Sequence, residues 1–198
     1  GADVGEKEVR LNDRCLQVVP PNVVANRAVE VLDLSKNDLT VVPEDFAKMR
    51  RLCWLSLAQN KLTSVPRLAC SLRVLHLENN RLTALPTGLD HLVALEELHV
   101  ANNQLSHLEG LQELPQLAVV TAADNCIEAL DADALATLPA LQNLDVTNND
   151  LRSLPPKLGL LPLKYLGVYG NPIRTIRRPL LQGNTRDLLD YLKARVKP

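Results

Sequence analysis

Few side chains in this chain of 198 residues have chemistry to offer. Four are histidines, and two of these, His76 and His99, stand 23 residues apart with Glu78 and Glu97 beside them. Two imidazoles and two carboxylates are donors that zinc accepts, provided the fold gathers them and outer partners hold them. The four cysteines, Cys15, Cys53, Cys70 and Cys126, form no CxxC pair and no metal spacing. That is the pattern of free thiols in a reducing compartment, so a cytoplasmic location is expected, with a nuclear one left open. A catalytic nucleophile needs a base and an orienting group within reach. The G-x-S-x-G, G-x-x-x-x-G-K-S/T and H-E-x-x-H patterns are all absent. Neither Cys53 nor Cys126 has a sequence-evident cation to lower its thiol pKa. The chain is expected to be no enzyme and to use no cofactor.

What positions these residues is a repeat. The unit L-x-x-L-x-L-x-x-N-x-L, with Val or Ile exchanging for Leu, recurs along the chain. It reads Val29-Leu32-Leu34-Asn37-Leu39, Leu52-Leu55-Leu57-Asn60-Leu62, Leu72-Leu75-Leu77-Asn80-Leu82 and Leu95-Leu98-Val100-Asn103-Leu105. A weaker copy follows at Leu117-Val120-Ala122-Asn125-Ile127, then Leu141-Leu144-Val146-Asn149-Leu151 and Leu163-Leu166-Val168-Asn171-Ile173. A degenerate copy, Val9-Leu11-Arg14-Leu16, precedes them. From Arg14 the ninth positions are separated by 23, 23, 20, 23, 22, 24 and 22 residues. A fixed period of this length is the signature of a stacked array.

Each x-L-x-L-x stretch predicts a short strand with one face buried. The Asn falls where the chain turns inward, with donors and an acceptor for backbone groups of adjacent coils. Arg14 cannot imitate it, so the first coil is expected to be frayed or atypical. Prolines such as Pro43, Pro86 and Pro155 suit connectors outside any ladder. Stretches such as Glu44–Met49 predict a short helix or 3₁₀ turn leading to the next strand. The fold expected is α/β: a right-handed horseshoe-shaped solenoid with a concave parallel β-sheet and short helical convex segments.

Composition agrees. Hydrophobic residues make up 46% and aromatics 3%, so the core must be Leu and Val. The net charge of −1 gives no global attraction for nucleic acid or acidic membrane. No apolar run approaches the roughly 20 residues of a spanning helix. A single repeat domain over 1–198 is expected, of about eight repeats with the first degenerate. A capping segment over 174–198 should close it, with a helix starting at Asn184 or Thr185 and an apolar face of Leu188, Leu189, Leu192 and Val196. The uncapped start of the array implies further repeats preceding it in the parent protein.

The unit L-x-x-L-x-L-x-x-N-x-L-x-x-L/V-P resembles intracellular leucine-rich repeats of the Ras-group type. The stretch from Leu144 through Gly170-Asn-Pro-Ile-Arg174, with Leu188-Leu-Asp-Tyr-Leu-Lys-Ala-Arg195, is similar to the C-terminal end of the leucine-rich repeat-containing protein 40 family. The resemblance implies an intracellular, non-catalytic binding protein. By analogy with other intracellular repeat proteins, a small GTPase or a phosphatase is a candidate partner. The chain is expected to be monomeric.

Stacking turns equal positions into rows across the sheet. The third-position row runs Glu8, Val31, Trp54, Val74, Glu97, Val119, Asn143, Tyr165. Val31, Trp54 and Val74 make an apolar run on a face otherwise meant for water, and Trp is the residue type most enriched in binding hot spots. Partner contact and simple packing on neighbours both remain open for Trp54, as partner contact and cap packing do for Tyr165 and Tyr169. In the fifth-position row His76 and His99 become lateral neighbours. An open sheet makes a poor cage, so no metal is expected, and a partner-contacting role or plain solvation is left for the histidines. The expected docking face is Val31, Trp54, Val74, His76, Glu97, His99, Val119 and Tyr165. The alternative is a nucleic-acid or anionic-lipid contact through the basic segment from Arg174 to Lys197.

Overall fold

The computed structural model describes residues 5–198. Eight three-residue strands form one parallel sheet in sequential order. They are β1 (Glu8–Arg10), β2 (Val31–Asp33), β3 (Trp54–Ser56), β4 (Val74–His76), β5 (Glu97–His99), β6 (Val119–Thr121), β7 (Asn143–Asp145) and β8 (Tyr165–Gly167). The register is that of the repeat: Val31 pairs with Trp54, Trp54 with Val74, and His76 with His99. The central residues of β2 to β7, from Leu32 to Leu144, are fully buried. Each buried leucine contributes roughly 1.5–3 kcal/mol from burial. One continuous core of Leu and Val therefore runs the length of the array.

Strands this short persist because the asparagines tie the coils together. Asn60 Nδ2 donates to Leu34 O and Leu57 O, each at 3.0 Å, while its Oδ1 accepts from Leu39 N at 3.0 Å. The same arrangement recurs at Asn80, Asn103, Asn125 and Asn149, all buried. In the first coil Arg14 supplies nothing comparable. Asn37 reaches back instead, accepting from Arg14 N and Leu16 N and donating to Leu11 O. β1 thus keeps its pairing to β2, although Val9, Leu11 and Leu16 are only partly buried.

The residue just before each ladder position adopts a left-handed backbone: Asp13, Lys36, Gln59, Asn79, Asn102, Asp124, Asn148 and Gly170, with φ between 54° and 75°. This conformation aims the residue's N–H sideways at the next coil, as from Lys36 N to Ala58 O at 2.9 Å. Asn, Asp and Gly occupy six of these eight positions, the types that tolerate positive φ best. Lys36 and Gln59 do not share that tolerance.

The connectors vary in length without disturbing the sheet. There are 3₁₀ turns at Glu44–Lys48, Leu89–His91 and Pro156–Leu160. Helices α1 (Pro21–Ala25) and α2 (Ala132–Leu135) occupy two other coils. The short 20-residue coil has no helix between β3 and β4, and Leu68, Ala69 and Leu72 fill it directly.

Two helices close the far end, α3 (Arg178–Gln182) and α4 (Thr185–Lys193). Asn184 is the N-cap of α4, its side chain accepting from Asp187 N at 2.8 Å. Leu188 and Leu192 are buried against the array. Val196 was expected on this face but lies beyond the helix, which ends in a turn at Ala194 and Arg195. Gly159 admits the close approach: a Cβ there would stand 2.2 Å from Lys193 N. Thr185 Oγ1 accepts from Leu166 N on the edge strand β8 at 3.0 Å, so the helix also satisfies a donor that the open edge would leave free.

Candidate functional site

The side chains flanking each strand's buried centre stand on the sheet's outer, concave face. Val31, Trp54, Val74, Glu97 and Val119 form one lateral row, all half-buried, and Tyr165 is 48% exposed at its end. Trp54 stands on this wall and is not sealed in the core. Tyr165 and Tyr169 are both exposed. A Cβ at Gly167 would meet the Tyr165 hydroxyl at 2.8 Å, so the phenol lies along its own strand. Burial, and secondarily the nearby Asp145 carboxylate, raise the pKa of that phenol.

The fifth-position row supports Trp54 from the side. The Trp54 and His76 ring centroids are 5.4 Å apart at a tilt of 52°, and His76 stacks on His99 at 4.5 Å, within 10° of parallel. Strand register alone brings the two imidazoles together. Hydrogen bonds hold them: His76 Nδ1 to Glu78 Oε1 at 2.8 Å, His99 Nδ1 to Thr121 Oγ1 at 2.8 Å, and His99 Nε2 to Glu97 Oε2 at 3.0 Å. The hydrogen bond to Glu78 raises the pKa of His76 against the opposing effect of burial, with Glu97 and Asp33 adding smaller attractions.

The eight residues expected to form a docking face lie on this side of the sheet, and the row order is that of the repeat. Three participants were not among them. Ser56, in the row beside His76, is only 5% exposed. Thr121 fixes His99. Glu78 fixes His76, and its second oxygen, Oε2, is buried without a hydrogen-bond partner. The sequence singles out Glu78 as a possible donor beside His76, although not as a docking residue, and in its own row it is flanked by Ala58 and Ala101. The thiols are scattered, with Cys15, Cys70 and Cys126 exposed and Cys53 half-buried. At the other end, Arg174 and Arg178 line a surface cavity of about 430 Å³ with Tyr169 and Gln182.

This architecture, a parallel sheet of short strands tied by an asparagine ladder, defines a leucine-rich repeat protein. Residues 7–64 match the family described as "Leucine rich repeat", and residues 70–116 match "Leucine Rich repeats (2 copies)". The chain belongs to this class. Over 106 residues it is 38% identical to geranylgeranyl transferase type-2 subunit alpha of Homo sapiens, covering 52% of this chain and 18% of that protein. Over 78 residues it is 34% identical to Toll-like receptor 6 of Mus musculus, covering 39% of this chain and 10% of the receptor. A chain in the solved structure of the Drosophila Toll–Spatzle complex superposes with a TM-score of 0.65 at 20% identity, over 83% of this chain and 27% of that one. That likeness is one of fold. Among the described residues no helix is long and apolar enough to cross a membrane.

Proposed function

We propose that this chain is a protein-interaction module that docks one folded partner on its concave sheet, centred on Trp54 and flanked by Val31, Val74, Glu97 and Val119. Leucine-rich repeat proteins generally mediate protein–protein contacts and are typically non-enzymatic. The observation that carries the reading is the placement of the chain's one tryptophan, half-exposed and braced by the His76–His99 stack. A ring already held in place loses little conformational freedom on binding, which favours affinity. The apolar row offers the desolvated centre of an interface, and Glu97, His76 and His99 supply polar contacts around it.

The finer reading is an intracellular protein of the Ras-group repeat type, similar at its C-terminal end to leucine-rich repeat-containing protein 40. It is cytoplasmic and monomeric, with a small GTPase or a phosphatase as the partner class that analogy favours. The experiment is a quantitative pull-down comparing the parent chain with Trp54→Ala, read by mass spectrometry. Loss of a hot-spot tryptophan costs about 2 kcal/mol or more, so partner affinity should fall at least about thirtyfold. The thermal unfolding profile should stay nearly unchanged. A partner set recovered equally by both proteins contradicts the proposal.

A further inference from the structure

Three features offer chemistry beyond docking: the basic cavity at Arg174, a groove on the connector side beside α2, and the cluster at His76, Glu78 and His99, whose imidazoles also brace Trp54. The cluster carries the most. One ligand atom from each of its residues lies within 4.8 Å of the other two, and all three residues are half-buried. Its distinguishing observation is the Glu78 carboxylate. Oε1 accepts from His76, while Oε2 is buried with no hydrogen-bond partner. Buried polar oxygens are ordinarily paired, so this one is left able to accept a further ligand. Its row neighbours Ala58 and Ala101 have no donor to give it.

We propose that His76, Glu78 and His99 form a three-donor site that takes zinc in preference to magnesium or calcium. Two of the three donors are imidazole nitrogens, which favours zinc over magnesium or calcium, both of which prefer oxygen ligands. Three protein ligands with the fourth position on the open sheet match an accessible zinc site, water completing the coordination. Outer partners are already in place. Thr121 Oγ1 and the Glu97 carboxylate each hold one nitrogen of His99, so whichever nitrogen binds metal, the other keeps a partner that orients the ring.

Bonds of about 2.0–2.1 Å in a tetrahedron place donor atoms about 3.3 Å apart. The donor atoms, all within 4.8 Å of one another, must adjust to that spacing, and rotation of the imidazoles out of their parallel stack supplies the movement. Trp54, 5.4 Å from His76, reports that rotation in its emission. The site needs no docked partner, so its failure would leave the docking proposal standing.

The test is zinc titration of the chelator-treated full chain, followed by imidazole 1H–15N spectra and Trp54 emission, with His76→Ala, His99→Ala and Glu78→Gln beside the parent. His107→Ala, altering an exposed histidine in a connector, serves as control. The expected result is saturation at one zinc, with the His76 and His99 ring signals moving together and those of His91 and His107 unmoved. Each ligand substitution should weaken binding at least tenfold. Glu78→Gln preserves shape and a hydrogen bond to His76, so it decides the matter if an alanine variant folds poorly. Zinc that leaves the His76 and His99 signals unmoved, that goes only to thiols, or that binds Glu78→Gln as tightly as the parent overturns the proposal.

Discussion

Replacing Asn103 with Ala tests whether the asparagine ladder holds the coils together, and its cost follows from which backbone groups lose their only partner. Asn103 Nδ2 donates to Leu77 O at 2.9 Å and Val100 O at 3.1 Å, and Oδ1 accepts from Leu82 N at 2.9 Å. The carbonyls are doubly served: Leu77 O also accepts from Asn80, and Val100 O from Asn125. The Leu82 amide has no second acceptor. An orphaned buried amide costs about 1–3 kcal/mol, and each carbonyl reduced to a single donor adds roughly 0.5 kcal/mol or more. The substitution should therefore destabilise the protein by about 3 kcal/mol. Urea unfolding monitored by far-ultraviolet circular dichroism and by Trp54 emission measures it, coincidence of the two curves licensing a two-state analysis. Gln104→Ala, on the exposed neighbour, should change stability by no more than about 0.5 kcal/mol. A loss below about 1 kcal/mol for Asn103→Ala would refute the view that the ladder amides depend on it.

Three further outcomes follow from particular residues. Lys36 has a φ of 54°, a conformation costly for a lysine and easier for asparagine, so Lys36→Asn should raise the urea midpoint by the equivalent of about 0.5–1 kcal/mol. Gly159→Ala drives a Cβ against the backbone of α4, so amide exchange over residues 185–193 should accelerate while that of β3 to β5 stays slow. In metal-free protein the His76 ring should titrate above the ordinary 6.5, and Glu78→Gln should bring its midpoint down. Because the folded-state pKa is raised, this pairing adds stability fully present below the unfolded histidine value and lost as pH rises through the folded one. The parent's urea midpoint should therefore lose a His76 contribution across that window, and Glu78→Gln should flatten the loss.

Spacing carried the sheet and the row order because a strand period of two and a coil period near 23 leave little freedom in which residues become neighbours. Even the 20-residue coil pairs Trp54 with Val74 in register, since the whole deficit is absorbed in a connector without a helix. What spacing could not carry was side-chain torsion. The row assignment made His76 and His99 neighbours, but their stacking and the turn of Glu78 toward His76 depend on rotamers. The burial of Ser56 depends on the larger groups around it. The left-handed positions were legible in hindsight from their Asn, Asp and Gly, yet Lys36 and Gln59 obscured the pattern. Helix α3 was not among the elements expected of the cap, because it is only five residues long and carries Pro179, although proline is well accommodated in a helix's first turn.

The docking claim is tested most directly by Trp54 itself, whose emission is unique in the chain. The partner recovered by the parent protein is titrated in a form lacking tryptophan fluorescence, with acrylamide quenching followed alongside. Docking on the concave face predicts a saturable blue shift and a matching loss of acrylamide access as the complex fills. A complex that forms while Trp54 keeps both its emission maximum and its accessibility would place the partner elsewhere and contradict the account.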